Sequence, residues 1–336
     1  MSMEPNTVNQ TTLPTRALAS TGLRITEIGF GAASLGNLYR ETSEAQAQHA
    51  VERAWDLGIR YFDTAPHYGL GLSERRLGTA LKQYPRDEYV LSTKVGRLLV
   101  PNENPQGQDG DFVVPDHLRR QWDFSQDGIR KSLEESLDRL RTDRIDVLYA
   151  HDPDQNSPDS AWQAAETLTE LRDCGVIGAR GIGTNSAEQL AELFAADAID
   201  VAMLAGRFTL LEAEGIHELL ETATKHGKSI VAVGVLNSGL LANPRPPADA
   251  HYNYAPAPAE MLARANRLAD VCEAAGVSLP QAAIAYPLRH PSIANVTLGM
   301  RTPEQVERNI ALYRSNVPVE LWSALENAHL LPLSVP

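Results

Sequence analysis

Cysteine and long apolar runs are both scarce in this sequence. Its 336 residues include two cysteines, Cys174 and Cys272, which do not form a Cys-x-x-Cys pair. This spacing disfavours a disulfide framework or a cysteine zinc site, and it suits a reducing compartment. No run approaches the ~20 apolar residues of a membrane-spanning helix, and residues 1–16 lack the apolar centre of a signal peptide. We therefore expect a soluble, cytoplasmic protein.

Positive charge is also in short supply. Lysine and arginine number 30 against 43 aspartates and glutamates, which leaves a net charge of −13. A surface this acidic repels the phosphates of nucleic acids and the headgroups of anionic lipids. We therefore expect neither nucleic acid nor a membrane as a partner, and the sequence predicts no particular oligomeric state.

Short apolar runs alternate with helical patterns along the chain. The eight runs lie near residues 28, 61, 89, 145, 180, 201, 229 and 294. Continuous apolar strands separated by helices are typical of a parallel sheet covered by helices. Eight such units in ~300 residues favour one (β/α)8 TIM barrel over two domains. We predict a frayed or disordered tail over residues 1–16 and a single barrel domain over 17–336.

Two long stretches interrupt this alternation. Leu98–Ser125 and Asn237–Pro258 are rich in proline, asparagine and glycine, and they follow the third and seventh strands. In a TIM barrel the loops after the strands lie at the C-terminal face, where active sites are found. We interpret both stretches as walls of a substrate pocket, the alternative being surface insertions without function.

Four polar residues lie at or after the ends of neighbouring strands. The second strand ends in Asp63 and leads into Tyr68, the third ends in Lys94 and the fourth in His151. A free tyrosine has a pKa of ~10, so it needs a nearby cation to ionise or share its proton at neutral pH. Lys94 can supply that charge, Asp63 can keep Lys94 charged and oriented, and His151 can hydrogen-bond a carbonyl oxygen. Such a set suits protonation of a developing alkoxide, or removal of a proton from an alcohol.

Each of these residues also has a simpler interpretation. A buried Asp–Lys pair is often structural, a tyrosine after a strand is usually packing, and a histidine that ends a strand is more often a core residue. A metal-dependent hydrolase is a further alternative. Its ligands would be Asp63, His67, His151 and Asp152. The strand ends carry no His-x-His pair, and a hydrolase would not need Lys94 beside Tyr68.

Three segments resemble motifs of the aldo-keto reductases. They are GIRYFDTAPHYG over Gly58–Gly69, STKVGR over Ser92–Arg97 and IDVLYAHD over Ile145–Asp152. The resemblance covers roughly residues 22–315, and it implies a (β/α)8 barrel that uses a nicotinamide cofactor and no metal. It also implies roles for the four residues: Tyr68 as general acid/base, Lys94 and Asp63 as its tuning pair, and His151 as the residue that orients the substrate.

Shorter segments resemble the sugar-oxidising branch of that family. They are KVGR over Lys94–Arg97, AGRFTLL over Ala205–Leu211 and YNYAP over Tyr252–Pro256. The branch includes L-fucose, D-threo-aldose and L-galactose dehydrogenases and the related pyridoxal 4-dehydrogenases. The resemblance therefore implies oxidation of a free aldose at C1 to its lactone. Reduction of an aldehyde or ketone with NADPH, or oxidation of pyridoxal, would use the same catalytic residues and stays an alternative.

A polyol substrate favours polar and aromatic pocket walls. The residues that can provide them are His67, Arg97, Trp122, His151, Tyr252 and Tyr254. Plain loop packing is the alternative for the aromatic residues of the long loops. A different class of function, a nucleotide-sensing regulatory barrel with negligible turnover, would require a long partner-binding extension, and residues 1–16 are too short to supply one.

The predicted cofactor site lies mainly after strands seven and eight. Phosphates bind at these loops in TIM barrels, and Thr302, Pro303 and Gln305 form a helix-start pattern whose free N–H groups favour an anion. Together with the resemblance, this pattern implies the following cofactor-binding residues: Gly31, Ala32, Asp63, Thr184, Asn185, Val235, Leu236, Asn237, Ser238, Gly239, Leu240, Gly299, Arg301, Gln305 and Asn309.

Departures from the family pattern concern the cofactor. Many relatives that prefer NADP carry a lysine where this chain has Gly299 and an arginine where it has Gln305. Without these cations a 2′-phosphate loses its main clamp, which Arg301 could partly replace. We therefore predict NAD or dual use of NAD and NADP, with NAD slightly favoured. Ala205 and Phe208 stand where a glutamine and a tyrosine are common, so the contacts to the carboxamide differ from those of many relatives.

Overall fold

Eight parallel strands form a closed barrel in the computed structural model, which describes residues 12–213, 215–252 and 255–335. Each strand pairs with its neighbours in chain order, and β8 closes the barrel on β1. The strands are β1 (Ile28–Gly31), β2 (Tyr61–Asp63), β3 (Val90–Val95), β4 (Ile145–His151), β5 (Ile177–Thr184), β6 (Val201–Ala205), β7 (Ser229–Val233) and β8 (Ile293–Gly299). All eight predicted strands are present, which confirms the (β/α)8 barrel.

Helices cover the outside of the barrel. They are α1 (Glu44–Asp56), α2 (Leu72–Leu81), α3 (Gln126–Leu140), α4 (Ser160–Asp173), α5 (Ala187–Ala195), α6 (Ile216–Lys225), α7 (Ala259–Ala274), α8 (Leu279–Leu288), α9 (Pro303–Arg314) and α10 (Val319–Asn327). Serine or threonine caps fix several starts, because the side chain accepts from a free backbone N–H of the first turn. Ser43 accepts from Gln46 in α1, and Thr302 accepts from Gln305 in α9.

The start of α2 differs from the sequence pattern. Ser73 resembles an N-cap, but α2 begins at Leu72 and Ser73 lies inside its first turn. The Ser73 hydroxyl is fully buried, donates to the carbonyl of Ala32 at 2.7 Å and lies 2.8 Å from the hydroxyl of Thr64. It therefore ties α2 to the loops after β1 and β2 instead of capping a helix.

A short hairpin closes the N-terminal end of the barrel. Thr15–Ala17 pairs with Arg24–Thr26, and the adjoining Leu18 and Ile25 are fully buried against the barrel interior. The Arg16 guanidinium donates to three backbone carbonyls between residues 288 and 293, at 2.8 to 3.3 Å. The predicted tail therefore extends too far, because residues 15 and 16 are part of this hairpin. Residues 1–11 lie outside the described part of the chain.

The C-terminal mouth carries the two long insertions that were predicted after β3 and β7. The first contains an antiparallel hairpin, Arg97–Pro101 paired with Leu118–Trp122, because a small apolar cluster with Phe112 and Val114 forms beneath it. The second contains the pair His251–Tyr252 and Ala255–Pro256. Among the described residues, no helix is long and apolar enough to cross a membrane.

Candidate active site

The four predicted catalytic residues meet at the C-terminal mouth. Asp63 and His151 end β2 and β4, and Lys94 lies near the end of β3 between them. Lys94 Nζ donates to Asp63 Oδ2 at 2.6 Å and to the carbonyl of Thr64 at 2.9 Å. It lies 4.8 Å from the ring centre of Tyr68, and the rings of Tyr68 and His151 are 5.9 Å apart. The structure therefore brings all four side chains together.

Two glycines allow the backbone approach that positions Tyr68. A Cβ on Gly36 would lie 2.6 Å from the carbonyl of Tyr68, and one on Gly69 would lie 2.2 Å from the carbonyl of Gly36. Gly69 also has φ +62°, a conformation that other residues adopt at a cost. The turns after β1 and β2 can therefore touch only because both positions lack a side chain.

A buried chain of hydroxyl groups supports the Asp63 carboxylate from below. Ser92 donates to Asp63 Oδ1 at 2.8 Å, and its oxygen lies 3.0 Å from the hydroxyl of Tyr61. The hydroxyls of Tyr61 and Tyr149 are 3.1 Å apart, and both side chains are fully buried. With Lys94 on its other oxygen, Asp63 has a hydrogen-bond donor on each side, which stabilises the charged carboxylate.

Lys94 and Tyr68 share one electrostatic environment. Burial acts to lower the pKa of Lys94, but the charge of Asp63 and the contact with Tyr68 outweigh burial and raise the pKa overall. Burial raises the pKa of Tyr68, and Lys94 opposes this effect only in part. Lys94 thus acts on the pKa of Tyr68 in the direction predicted from the sequence, and the role of Tyr68 as general acid/base stays a prediction. Lys94 is charged, and Tyr68 holds its proton as an acid.

His151 is a neutral imidazole in this site. Burial, followed by the positive charges of Arg97 and Lys94, holds its pKa well below the usual value. Its Nδ1 is buried and has no hydrogen-bond partner among the described residues, whereas Nε2 lies 3.6 Å from Asp152 Oδ2. His151 can therefore act as a neutral hydrogen-bond donor, and it is unsuited to carry a charge.

Three further residues predicted to contact the substrate lie beside His151. The Arg97 guanidinium packs over the Trp122 ring at 4.3 Å and pairs with Asp152. Its Nη1 is 3.3 Å from Nδ1 of His67, whose ring lies 5.4 Å from that of His151. Burial, with nearby cations including Arg97, lowers the pKa of His67 to about 2. His67, Arg97 and Trp122 therefore lie together beside His151, where they provide a neutral imidazole, a guanidinium that is already paired and an aromatic ring.

Two further residues that contact His67, Arg120 and Phe112, were not predicted from the sequence. Arg120 pairs with Asp109 through two contacts of 2.6 and 2.7 Å and donates to the carbonyl of His67 at 2.8 Å. Phe112 lies 5.4 Å from the ring of His67 and 6.2 Å from that of Tyr68. The sequence analysis predicted this insertion to be a pocket wall, but it did not single out Phe112, an apolar residue that directly follows the polar stretch 102–111.

The loops after β6 and β7 are linked by Tyr252. Its side chain is buried, and its hydroxyl donates to Glu212, which also pairs with Arg207 at 2.8 Å. The donor capacity of the Tyr252 hydroxyl is therefore used by Glu212, and a predicted contact with the substrate could use its ring or its oxygen as an acceptor. Tyr254 lies outside the described residues.

The predicted cofactor residues lie around the cleft formed by the strand ends. Gly31 and Gly299 are paired at the ends of β1 and β8, and Thr184 ends β5 beside Asn185. A Cβ on Gly299 would meet open space. The others lie in the loop after β7 or around α9 and in the turn after β1: Ala32, Val235, Leu236, Asn237, Ser238, Gly239, Leu240, Arg301, Gln305 and Asn309.

This cleft has features that fit a bound nucleotide. Asn237 and Ser238 both adopt left-handed backbone conformations (φ 47° and 55°), which cost free energy and occur most often in binding loops. The Asn237 Oδ1 atom is buried and has no partner among the described residues. The helix α9 starts as predicted, with Thr302 at its N-cap and Pro303 at its first position, and the Gln305 N–H donates to the Thr302 hydroxyl.

Arg301 does not present its charge to this cleft. Its guanidinium is buried and donates to the carbonyls of Arg40, at 2.8 Å, and Leu38, and to the hydroxyl of Thr42. All three contacts lie in the loop after β1, so Arg301 would have to give up some of them to replace, even partly, the missing cations, and that role stays a prediction. Gln305 is also engaged, since its Oε1 accepts from the Arg301 backbone N–H at 2.8 Å.

Comparison with known proteins gives the family of this barrel. The fold and the cluster at its mouth are those of a barrel oxidoreductase, and a model of the aldo/keto reductase family matches residues 27–329. The chain belongs to the aldo/keto reductase family, whose members use nicotinamide cofactors. The hydrolase alternative is thereby set aside. Among the described residues no group of three or more His, Cys, Asp or Glu is placed to hold a metal.

Individual relatives narrow the comparison. The chain is 46% identical to D-threo-aldose 1-dehydrogenase of a Pseudomonas species, covering 94% of this chain and 98% of that one. It is 38% identical to pyridoxal 4-dehydrogenase of Microbacterium luteolum, with 94% and 97% covered. The holo form of the aldo-keto reductase AKR11C1 from Bacillus halodurans matches with a TM-score of 0.75 at 27% identity, over 96% of this chain and 98% of that one.

Proposed function

We propose that this protein oxidises a free aldose at C1 to the lactone. The observation that carries the proposal is the cluster in which Tyr68, charged Lys94 and neutral His151 face one pocket. The similarity to an enzyme named D-threo-aldose 1-dehydrogenase supports a sugar as the substrate. Near C1 a cyclic aldose carries the anomeric hydroxyl, the ring oxygen and the C2 hydroxyl, which can exchange hydrogen bonds with polar side chains such as those of His151 and Arg97.

The nicotinamide cofactor, when bound, supplies the hydride acceptor. Residues of this chain that would hold it are those around the cleft described above, with Asn237 and the first turn of α9 toward its polar groups. The Oδ1 atom of Asn237 would then gain the partner that it lacks.

Tyr68 would move the proton in this reaction. As the C1–H bond breaks and its electron pair leaves as hydride, the anomeric O–H bond breaks, the C1=O bond of the lactone forms, and the tyrosine oxygen takes the proton. The charge of Lys94 stabilises the tyrosinate that must exist before this transfer. His151 would donate a hydrogen bond to the same substrate oxygen and fix its direction.

The charges around the pocket favour a neutral substrate. Each cation has its own carboxylate: Lys94 pairs with Asp63 at 2.6 Å, Arg120 with Asp109 at 2.6 Å, and Arg97 with Asp152. An anionic substrate would meet no unpaired cation among the described residues, and it would be desolvated beside three carboxylates. A neutral polyol can instead exchange hydrogen bonds with both members of a pair.

The neutral pocket predicts discrimination against phosphorylated sugars. We expect a free aldose to be oxidised with a kcat/KM at least about 10²-fold above that of its phosphate ester, because a dianion gains no partner to offset its desolvation. Steady-state rates with matched pairs of free and phosphorylated aldoses measure this ratio. Equal rates would contradict the assignment of Arg97 and Arg120 as already paired.

The first experiment follows the absorbance of the reduced nicotinamide. L-Fucose, L-galactose, D-arabinose and pyridoxal are tested with NAD⁺ and NADP⁺, and simple aldehydes with NADH and NADPH. We expect turnover with at least one aldose. Turnover with pyridoxal alone would favour the second candidate, which the 38% identical relative and the aromatic rings of Phe112 and Trp122 support. Reduction of aldehydes without oxidation of any sugar would overturn the proposed substrate and leave the proton chemistry intact.

We propose NAD as the preferred cofactor because the three residues predicted to lie near a 2′-phosphate, Gly299, Arg301 and Gln305, offer it no unengaged cation. Gly299 has no side chain, Gln305 is neutral, and the Arg301 guanidinium is committed to the loop after β1. Introducing Gly299→Lys should raise the affinity for NADP⁺ about tenfold, since a charge-assisted hydrogen bond contributes roughly 1.5–3 kcal/mol, with little change for NAD⁺.

Gly299→Gln is the matched control for that substitution, because it adds a long neutral side chain into the same open space. Dissociation constants for both cofactors, measured by quenching of protein fluorescence, separate charge from bulk. The proposal fails if the lysine and glutamine variants change NADP⁺ affinity equally, or if the unaltered protein already prefers NADP⁺.

The raised pKa of Tyr68 predicts the pH dependence. Oxidation needs the deprotonated tyrosine, so kcat/KM for an aldose should increase with pH up to at least pH 9, whereas reduction of an aldehyde, which needs the protonated form, should not increase. The pKa values of His67 and His151 are both lowered, so neither residue should produce an inflection near the ordinary histidine value of about 6.5. Rate profiles from pH 5 to 10 test both points, and a histidine-like inflection would contradict the second.

A further inference from the structure

The residue after His151 occupies an unusual position. Asp152 has φ 45° and ψ 53°, a left-handed conformation for a residue other than glycine, and its N–H donates to the carbonyl of Gly183 at 2.7 Å. This turn brings its carboxylate to the pocket mouth. There Oδ2 accepts from Arg97 and lies 3.6 Å from Nε2 of His151. The strained backbone is thus associated with a carboxylate aimed at a predicted catalytic imidazole.

A neutral histidine carries its proton on one of two nitrogens, and their surroundings decide which. A proton on Nδ1 of His151 would be a buried donor without a partner among the described residues, and the lone pair of Nε2 would face the carboxylate of Asp152. A proton on Nε2 removes the repulsion at that nitrogen, because the N–H then faces a negative charge, and it leaves Nδ1 as an unpartnered acceptor in place of an unpartnered donor. The carboxylate therefore favours the tautomer with hydrogen on Nε2.

We propose that Asp152 is a positioning residue that keeps the His151 proton on Nε2, where it can be donated to the substrate oxygen. The inference rests on the proposed function for the identity of that oxygen, although the tautomer itself exists without any substrate. Arg97 completes the arrangement, because its guanidinium pairs with the carboxylate and opposes the effect of burial, which raises the pKa of Asp152.

Two other roles for Asp152 make different predictions. The carboxylate could act only by holding Arg97 against Trp122, or it could bind a sugar hydroxyl directly. In the first case the effect of removing its charge would disappear in a variant without Arg97. In the second it would persist in a variant without His151. Under the proposed role, the effect of removing the charge of Asp152 disappears in a variant without His151 and persists in a variant without Arg97.

Asp152→Asn is the informative substitution. Asparagine tolerates the left-handed conformation and has the size of aspartate, so the turn should be retained. Asp87→Asn is the matched control, since Asp87 is an exposed carboxylate paired with Arg144 at the opposite end of the barrel. Equal melting temperatures of the three proteins would show that any change in Asp152→Asn is local.

The nitrogen chemical shifts of His151 report the tautomer directly. In uniformly ¹⁵N-labelled protein without substrate, we expect a protonated Nε2 and an unprotonated Nδ1, assigned by their loss in His151→Asn. In Asp152→Asn the two shifts should move toward each other as the Nδ1-protonated form becomes populated. An unchanged Nε2-protonated pattern in that variant would overturn the proposal, whatever the substrate proves to be.

Kinetics provide the second readout. With any substrate that the protein turns over, Asp152→Asn should lower kcat by roughly tenfold or more and change KM for the cofactor little. In a His151→Asn background the same substitution should have no further effect, and in an Arg97→Met background it should keep most of its effect. An undiminished loss in the His151→Asn background would show that Asp152 acts by another route.

Discussion

Replacing Tyr68 with phenylalanine is expected to lower turnover by about 10²- to 10⁴-fold, the range found for removal of a positioned acid or base. The ring contacts with Phe112 and His151 would be retained, so the fold should be unaffected. Binding of the cofactor should also persist, because the predicted nucleotide loops lie after β7 and β8. Single-turnover rates together with cofactor titration measure the two effects separately.

Tyr84→Phe is the matched control for this prediction. Tyr84 stacks on Trp55 at 3.9 Å outside the barrel, and the loss of its hydroxyl should leave turnover unchanged. Turnover of Tyr68→Phe within a few-fold of the unaltered protein would rule out this tyrosine as the proton-transfer group. Loss of cofactor binding in the same variant would instead mean that the cleft and the cluster are coupled.

The largest combined effect is expected for Lys94→Met. It removes the charge that stabilises the Tyr68 anion, so turnover should fall nearly as far as in Tyr68→Phe. It also leaves the fully buried carboxylate of Asp63 without its ion-pair partner, which should lower the free energy of unfolding by about 3–5 kcal/mol. Urea unfolding and steady-state kinetics measure the two losses on the same preparation.

The double variant Asp63→Asn with Lys94→Met separates the two losses. It removes the unpaired charge but keeps a polar side chain beside the Ser92 hydroxyl, so most of the stability should return while turnover stays low. Ordinary turnover in Lys94→Met would contradict the proposal that Lys94, held by Asp63, stabilises the anion of Tyr68. A double variant as unstable as the single one would mean that methionine packing, and not charge, limits stability.

The sequence predicted the barrel well because its strands are short apolar runs that need no distant partner to be recognised. It predicted the floor of the barrel poorly. Arg16 stands in a polar stretch typical of a frayed end, yet its partners are backbone carbonyls near Ile293, far along the chain. The sequence did not predict helix α10. It also could not show that Ser73 lies inside α2, because the acceptor of its hydroxyl, the Ala32 carbonyl, belongs to another loop.

In the candidate site, too, the residues on strands could be predicted, whereas the contacts that depend on distant loops could not. Asp63, Lys94 and His151 could be placed together because strand ends of a parallel barrel meet at one face. The pairs Arg97–Asp152 and Arg120–Asp109 could not be predicted, since each depends on how an insertion folds back over the mouth. The engagement of Arg301 with the loop after β1 was equally invisible, because charge in a sequence does not reveal which acceptors a guanidinium will find.

The hairpin under the barrel also governs how the site exchanges protons with bulk water. The hydroxyl chain below Asp63 runs from Ser92 through Tyr61 to Tyr149 and ends in the apolar cluster that includes Leu18 and Ile25. In the described part of the chain it is therefore a dead end. A proton taken up by Tyr68 has to leave upward through the mouth, past the substrate or after the product has gone, so proton release and product release should share one route.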